Sequence, residues 1–79
     1  MRPADVVALA EMRLACKNGA ARRTRIAADV TQREVGEACH VSPKTVALWE
    51  TGQRTPGGHP ALAYGRLLRD LAAVAETAA

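Results

Sequence analysis

Hydrophobic positions recur along most of the chain at steps of three and four, the spacing of helices with one buried face. From Pro3 to Lys17, Val7, Ala10 and Leu14 mark such a face, widened by Val6 and Leu9, and Pro3 suits a first helical turn. Asn18-Gly19 breaks the pattern, and Asn18 is placed to cap a short second helix, Gly19 to Ala28. Thr31-Gln32-Arg33-Glu34 has the spacing of a capping box, which predicts a third helix over Gln32 to Cys39. Ser42-Pro43 is a second start signal, a capping hydroxyl followed by a residue with no amide hydrogen to satisfy. The fourth helix then runs from Pro43 to about Thr51 and stops at Gly52. Gln53 to Pro60, with two prolines and two glycines, reads as a loop. Ala61, Tyr64, Leu68, Leu71 and Ala75, with Leu67 and Val74 beside them, predict a long last helix whose Ala-rich end after Glu76 frays.

With 79 residues the chain forms one compact domain. The expected fold is all-α: a bundle of about five helices, with a central unit over about 31–52 and terminal helices at 3–17 and 60–76 completing the core. Composition agrees, since the apolar residues are mostly Ala, Leu and Val, there is no Phe, and the aromatics are Trp49 and Tyr64 alone.

The net charge is only +3, but Arg22, Arg23 and Arg25, and then Arg33, Lys44 and Arg54, occur in groups that suit a polyanion. No apolar run approaches the roughly 18 residues that span a bilayer, and the N-terminus lacks a signal-peptide core, so no membrane partner and a cytoplasmic location are expected. Cys16 and Cys39 have no Cys-x-x-Cys partner. A zinc site from Cys16, Cys39, His40 and His59 fits no ligand spacing, and buried thiols with surface histidines are expected instead. No nucleophile, base and carboxylate arrangement and no phosphate loop after a strand is present, which argues against an enzyme and against any cofactor or metal.

Two short helices joined by His40-Val41-Ser42 have the length and turn of a helix-turn-helix, whose second helix enters the major groove. Val35, Cys39 and Val41 face inward from the first helix and turn, Val46 and Trp49 from the second, and Gly36 allows close approach. The stretch TQREVGEACHVSPKTVALWETGQRTP resembles the Cro/C1-type (XRE-like) helix-turn-helix family of phage and bacterial repressors. The likeness rests on Gln32, Gly36, Val41, Val46 and the Trp49-Glu50-x-Gly52 ending, with looser support from Arg25-Ile26 and Tyr64-x-x-Leu67-Leu68. Two positions depart from the pattern. His40 stands where the family prefers Gly, and Leu48 where many relatives carry a long polar residue.

The resemblance implies sequence-specific binding to a double-stranded DNA operator. Lys44 takes a base-reading position, although a merely solvated charge is the alternative; Thr45 either supports the cap or reaches a phosphate or base. Ala47 and Leu48 can read only thymine methyls and shape, with burial a competitor for Leu48. Gln32, Ser42, Thr51 and Arg54 take phosphate-contacting positions, Pro43 opens the recognition helix, and Arg33 is exposed whether or not it touches DNA. Arg25 and Glu50 are implied to form a structural ion pair behind the recognition helix, and Trp49 to belong to the core. With no separate effector or cleavage region in view, a Cro-like repressor without a small-molecule effector is the expected function. An antitoxin or antirepressor that binds protein through the same fold is the rival. A homodimer is expected through the last helix, unless the N-terminal helix absorbs that apolar surface within the monomer.

Overall fold

The computed structural model describes residues 1–78. It contains five helices: α1 (Pro3–Lys17), α2 (Ala20–Ala27), α3 (Gln32–Cys39), α4 (Pro43–Glu50) and α5 (Gly58–Ala78). Local chemistry explains most of the boundaries. The Asp5 carboxylate accepts from the Arg2 amide at 3.0 Å and fixes the start of α1. At α3 the capping box is complete: Thr31 Oγ1 accepts from the Glu34 amide at 3.0 Å, and Glu34 Oε1 accepts from the Thr31 amide at 2.9 Å. Ser42 Oγ accepts from the Thr45 amide at 3.1 Å and opens α4. Past the end of α4, Gly52 takes a φ of +76°, a backbone state in which an L side chain is strained.

Two expected boundaries need correction. Asn18 does accept from the Ala20 amide at 2.9 Å, but Gly19 holds the capping position and α2 is one residue shorter at each end. The last helix begins at Gly58 rather than after Pro60, because a proline in a first turn removes only an amide that has no helical acceptor. The tail after Glu76 remains helical to Ala78, and Ala79 lies outside the described residues.

The core consists of Leu9, Met12, Cys16, Ala21, Val35, Cys39, Val46, Trp49, Ala61, Leu62, Tyr64 and Leu68. On α1 the buried stripe is therefore Leu9, Met12 and Cys16; of the predicted face only Leu9 is buried, while Val6, Val7, Ala10 and Leu14 lie exposed. Both stripes have helical spacing, and the position of α5 selects between them. The long helix packs on α1, α2 and α3, so the N-terminal helix covers much of the apolar face of α5 within the monomer. Ala61, Leu62, Tyr64 and Leu68 are buried and Leu67, Leu71 and Ala75 half-buried, leaving Val74 exposed.

The turn between α3 and α4 is tight. A Cβ on Gly36 would lie 2.6 Å from the Val41 carbonyl oxygen and 3.3 Å from the Pro43 nitrogen, so only glycine lets the chain reverse this closely. The Gly36 carbonyl accepts from the Val41 amide at 2.9 Å, which places His40 in the left-handed region at φ 60°, ψ 42°. A residue with a Cβ is strained there. His40→Gly is expected to raise stability by about 0.5–1 kcal/mol, because relief of that strain exceeds the added unfolded-state entropy. Gly36→Ala is expected to lower it by about 1–3 kcal/mol through overpacking against backbone. Urea unfolding of the two variants checks both signs.

Candidate nucleic-acid interface

The α3–turn–α4 unit is held from behind by one buried carboxylate. Glu50, at the end of α4, has a fully buried side chain that accepts from Arg25 Nε at 2.7 Å and from Arg25 Nη2 at 2.9 Å. Tyr64 Oη donates to its Oε2 at 2.6 Å, and Gln32 Nε2 donates to its Oε1 at 3.1 Å. Arg25 Nη1 also donates to the Val30 carbonyl at 2.8 Å. One group on α4 is thus tied to α2, α3 and α5. Among the described residues no buried side-chain polar atom lacks a partner. The Trp49 and Tyr64 rings stack beside this network, with centroids 6.2 Å apart, and Trp49 is buried as expected.

The network keeps its charges. Burial alone would raise the Glu50 carboxyl, but hydrogen bonds from Arg25, Tyr64 and Gln32 and the arginine's charge outweigh it and hold the group below the ordinary carboxylate range. The bond to Glu50 likewise raises Arg25 against the effect of its burial. Tyr64 is pushed up by burial and by its hydrogen bond to a carboxylate, so it remains a donor. Both cysteines are buried free thiols, and burial, then the Glu50 charge, pushes Cys16 up to about 12.

The opposite side of α4 faces solvent. Pro43 and Lys44 are exposed, and Thr45, Ala47 and Leu48 are half-buried, so Leu48 is neither a core residue nor a free one. The Ser42 and Thr45 hydroxyls lie 3.0 Å apart, and one hydroxyl proton occupies that contact while the other is free to donate outward. Partial positive charge at the start of the helix adds to the Lys44 ammonium there. Thr51 is exposed, but its Oγ1 donates to the Ala47 carbonyl at 3.0 Å, so it must give up that bond to donate to a phosphate. The Leu48 carbonyl accepts from the Gln53 and Arg54 amides at 3.0 and 3.1 Å, which fixes the loop that presents the exposed Arg54. Arg33 is exposed and faces Glu37 at 3.5 Å.

Gln32 is the residue whose setting differs most from its expected one. It stands at the start of α3 as predicted, but one of its amide hydrogens is committed to Glu50 and only the other remains for a phosphate. Tyr64 was legible as a member of an apolar stripe and of the looser family likeness, but not as a hydrogen-bond donor. Its hydroxyl reaches a carboxylate 14 residues away, a contact that no periodicity signals.

A turn too tight for any residue but glycine, a recognition helix fixed by a satisfied buried carboxylate, and a cationic, capped helix start on the open side together define a DNA-binding helix-turn-helix domain. A family model described as Helix-turn-helix matches residues 22–74, more than half of the 79 residues. The chain belongs to the Cro/C1-type, XRE-like helix-turn-helix family, and is a DNA-binding regulator of transcription. No curated protein and no solved structure matches it significantly. No helix among the described residues is long and apolar enough to cross a membrane.

Removing the carboxylate should be far more damaging than its position on a small domain suggests. Glu50→Ala strands the Arg25 guanidinium and is expected to cost about 3–5 kcal/mol, enough to unfold a large fraction of the protein at room temperature. Thermal unfolding followed by circular dichroism reads the loss, and a wild-type midpoint would contradict the network.

The same group sets a pH dependence. Because the folded pKa of Glu50 lies below its unfolded value of about 4.3, its contribution is complete above that pH and is lost as the pH falls toward and through the folded pKa. Urea unfolding between about pH 6 and about pH 3 should show a steeper acid loss for the wild type than for Glu50→Gln. Parallel curves would mean that the carboxyl titrates normally.

Proposed function

We propose that the protein is a Cro-like transcriptional repressor that acts by occupying a double-stranded DNA operator, with α4 lying in the major groove. The observation that carries this reading is the two-sidedness of α4. Its inner face is immobilised by the Glu50 network, and its outer face presents a capped, positively charged start with nothing packed over it. A helix fixed in this way can hold side chains at base edges without the entropic cost of ordering a mobile element.

In this reading Lys44 donates to guanine acceptors, and Ala47 and Leu48 present carbon to thymine methyls. Thr45 and Ser42 share the task at the helix start, where one free hydroxyl proton reaches a phosphate or base, and Pro43 sets the entry angle. Gln32, through its remaining amide hydrogen, Arg54, and Thr51 after a local switch anchor the DNA backbone, and Arg33 supplies charge near it. Repression follows from occupancy alone and needs no effector. The setting is the cytoplasm of a bacterium or of an infected host cell, where the operator is found.

One recognition helix covers few base pairs, so two copies on paired half-sites supply the remaining specificity. The apolar surface left for such a homodimer is Val74 with half-buried Leu71 on α5, and Val6, Val7 and Leu14 on α1.

Selection from random duplexes tests the proposal, with Lys44→Ala and Arg54→Ala compared on the selected site. Lys44→Ala is expected to relax preference at one position at a cost of about 1–3 kcal/mol, and Arg54→Ala to weaken selected and random duplexes alike. An equal loss for Lys44→Ala on both duplexes would show that it is not a base reader. Failure to enrich any sequence would remove the operator reading.

A further inference from the structure

The charges of α1 are sorted by side. Asp5 faces Arg66 of α5 at 3.8 Å, and Glu11 faces Arg69 of α5 at 3.5 Å, so the acidic groups of the helix turn toward the long helix and meet cations there. Arg13 and Lys17, four residues apart and on one face, instead line a cleft of about 330 Å³ together with Arg54 and Thr55 of the loop that follows α4. Among the described residues none of these three cations meets a carboxylate within ion-pair distance. Arg13 is also held in place: its Nε donates to the Pro56 carbonyl at 2.8 Å, which leaves both Nη groups for another acceptor.

We propose that Arg13 and Lys17 are a second phosphate anchor, extending the grip of the Arg54 loop along the DNA backbone beyond the helix-turn-helix unit. The proposal rests on the DNA-binding reading above. It adds residues from a helix that lies outside the span matched by the family model. A guanidinium pinned at one nitrogen and open at two suits the paired oxygens of a phosphodiester, and a nearby ammonium adds charge without a directional requirement. Arg13, Lys17 and Arg54 line an open cleft whose other walls include apolar Ala10, Leu14, Trp49 and Pro56, a setting for the continuous backbone of a polyanion rather than for an enclosed small anion. Such contacts position the protein and carry no base preference.

Salt dependence of duplex binding is the test, because each phosphate contact contributes about −0.9 to the slope of log affinity against log salt. Because the Lys17 side chain makes no hydrogen bond or ion pair among the described residues, Lys17→Gln is expected to make the slope shallower by about 0.9, with the same fractional loss on the selected site and on random duplex. Arg13→Gln together with Lys17→Gln should make it shallower by about 1.8. Circular dichroism of each variant confirms that the fold is retained. Wild-type binding with variant slopes equal to the wild-type slope would overturn the second anchor and leave the helix-turn-helix reading intact. Thermal stabilisation of the wild type by inorganic phosphate that both variants lose, with an unchanged DNA slope, would overturn it as well, in favour of a small-anion site. A wild-type chain that bound no duplex at all would overturn both.

Discussion

The burial of Glu50 is the constraint on which the rest of the domain depends. A carboxylate taken out of water costs several kcal/mol unless it is fully paired, and this one receives two hydrogen bonds from Arg25, one from Tyr64 and one from Gln32. Those donors sit on α2, α5 and α3, whereas the acceptor is on α4. Satisfying one charge therefore fixes four helices relative to one another, and a shift of α4 breaks several bonds at once. Burial of Val46 and Trp49 turns the same face of the helix inward, and the directional bonds at Glu50 add to that constraint. Network and apolar face together set which side of α4 faces outward.

Much of this was legible in the residues. The capping box at Thr31-Glu34, the Ser42-Pro43 start and the close approach at Gly36 each rest on local chemistry, and local chemistry survives folding. The left-handed His40 agrees with the resemblance to a family that prefers Gly at that position. Of the inward face of α1, only Leu9 was legible. Val7-Ala10-Leu14 and Leu9-Met12-Cys16 obey the same helical spacing, and which of them is buried depends on where α5 lies, a fact that α1 does not contain. The site shows the same division. Arg25 and Glu50 were placed together by family resemblance, whereas the commitments of Gln32 and Tyr64 to that carboxylate depend on contacts between helices distant in sequence.

The α1 helix illustrates how an accessory element alters a small domain. It buries Leu9, Met12 and Cys16 against the remainder of the fold and covers part of α5, which adds core to a chain short of it. In exchange it exposes Val6, Val7 and Leu14, while its charges divide between α5 and the cleft beside Arg54. The helix that adds this core lies outside the span matched by the family model.

In the proposed mode of binding a rigid α4, locked at Glu50, presents its open side to DNA. Titration of isotopically labelled protein with an operator duplex, followed by amide and indole nuclear magnetic resonance shifts, tests it most directly. The account predicts saturable shifts at Gln32, at Ser42 through Leu48 and at Thr51 through Arg54, with the core around Tyr64 unchanged. Shifts centred on Val6, Val7 and Val74, with α4 unaffected, would contradict it and assign the binding surface to the apolar faces of the terminal helices.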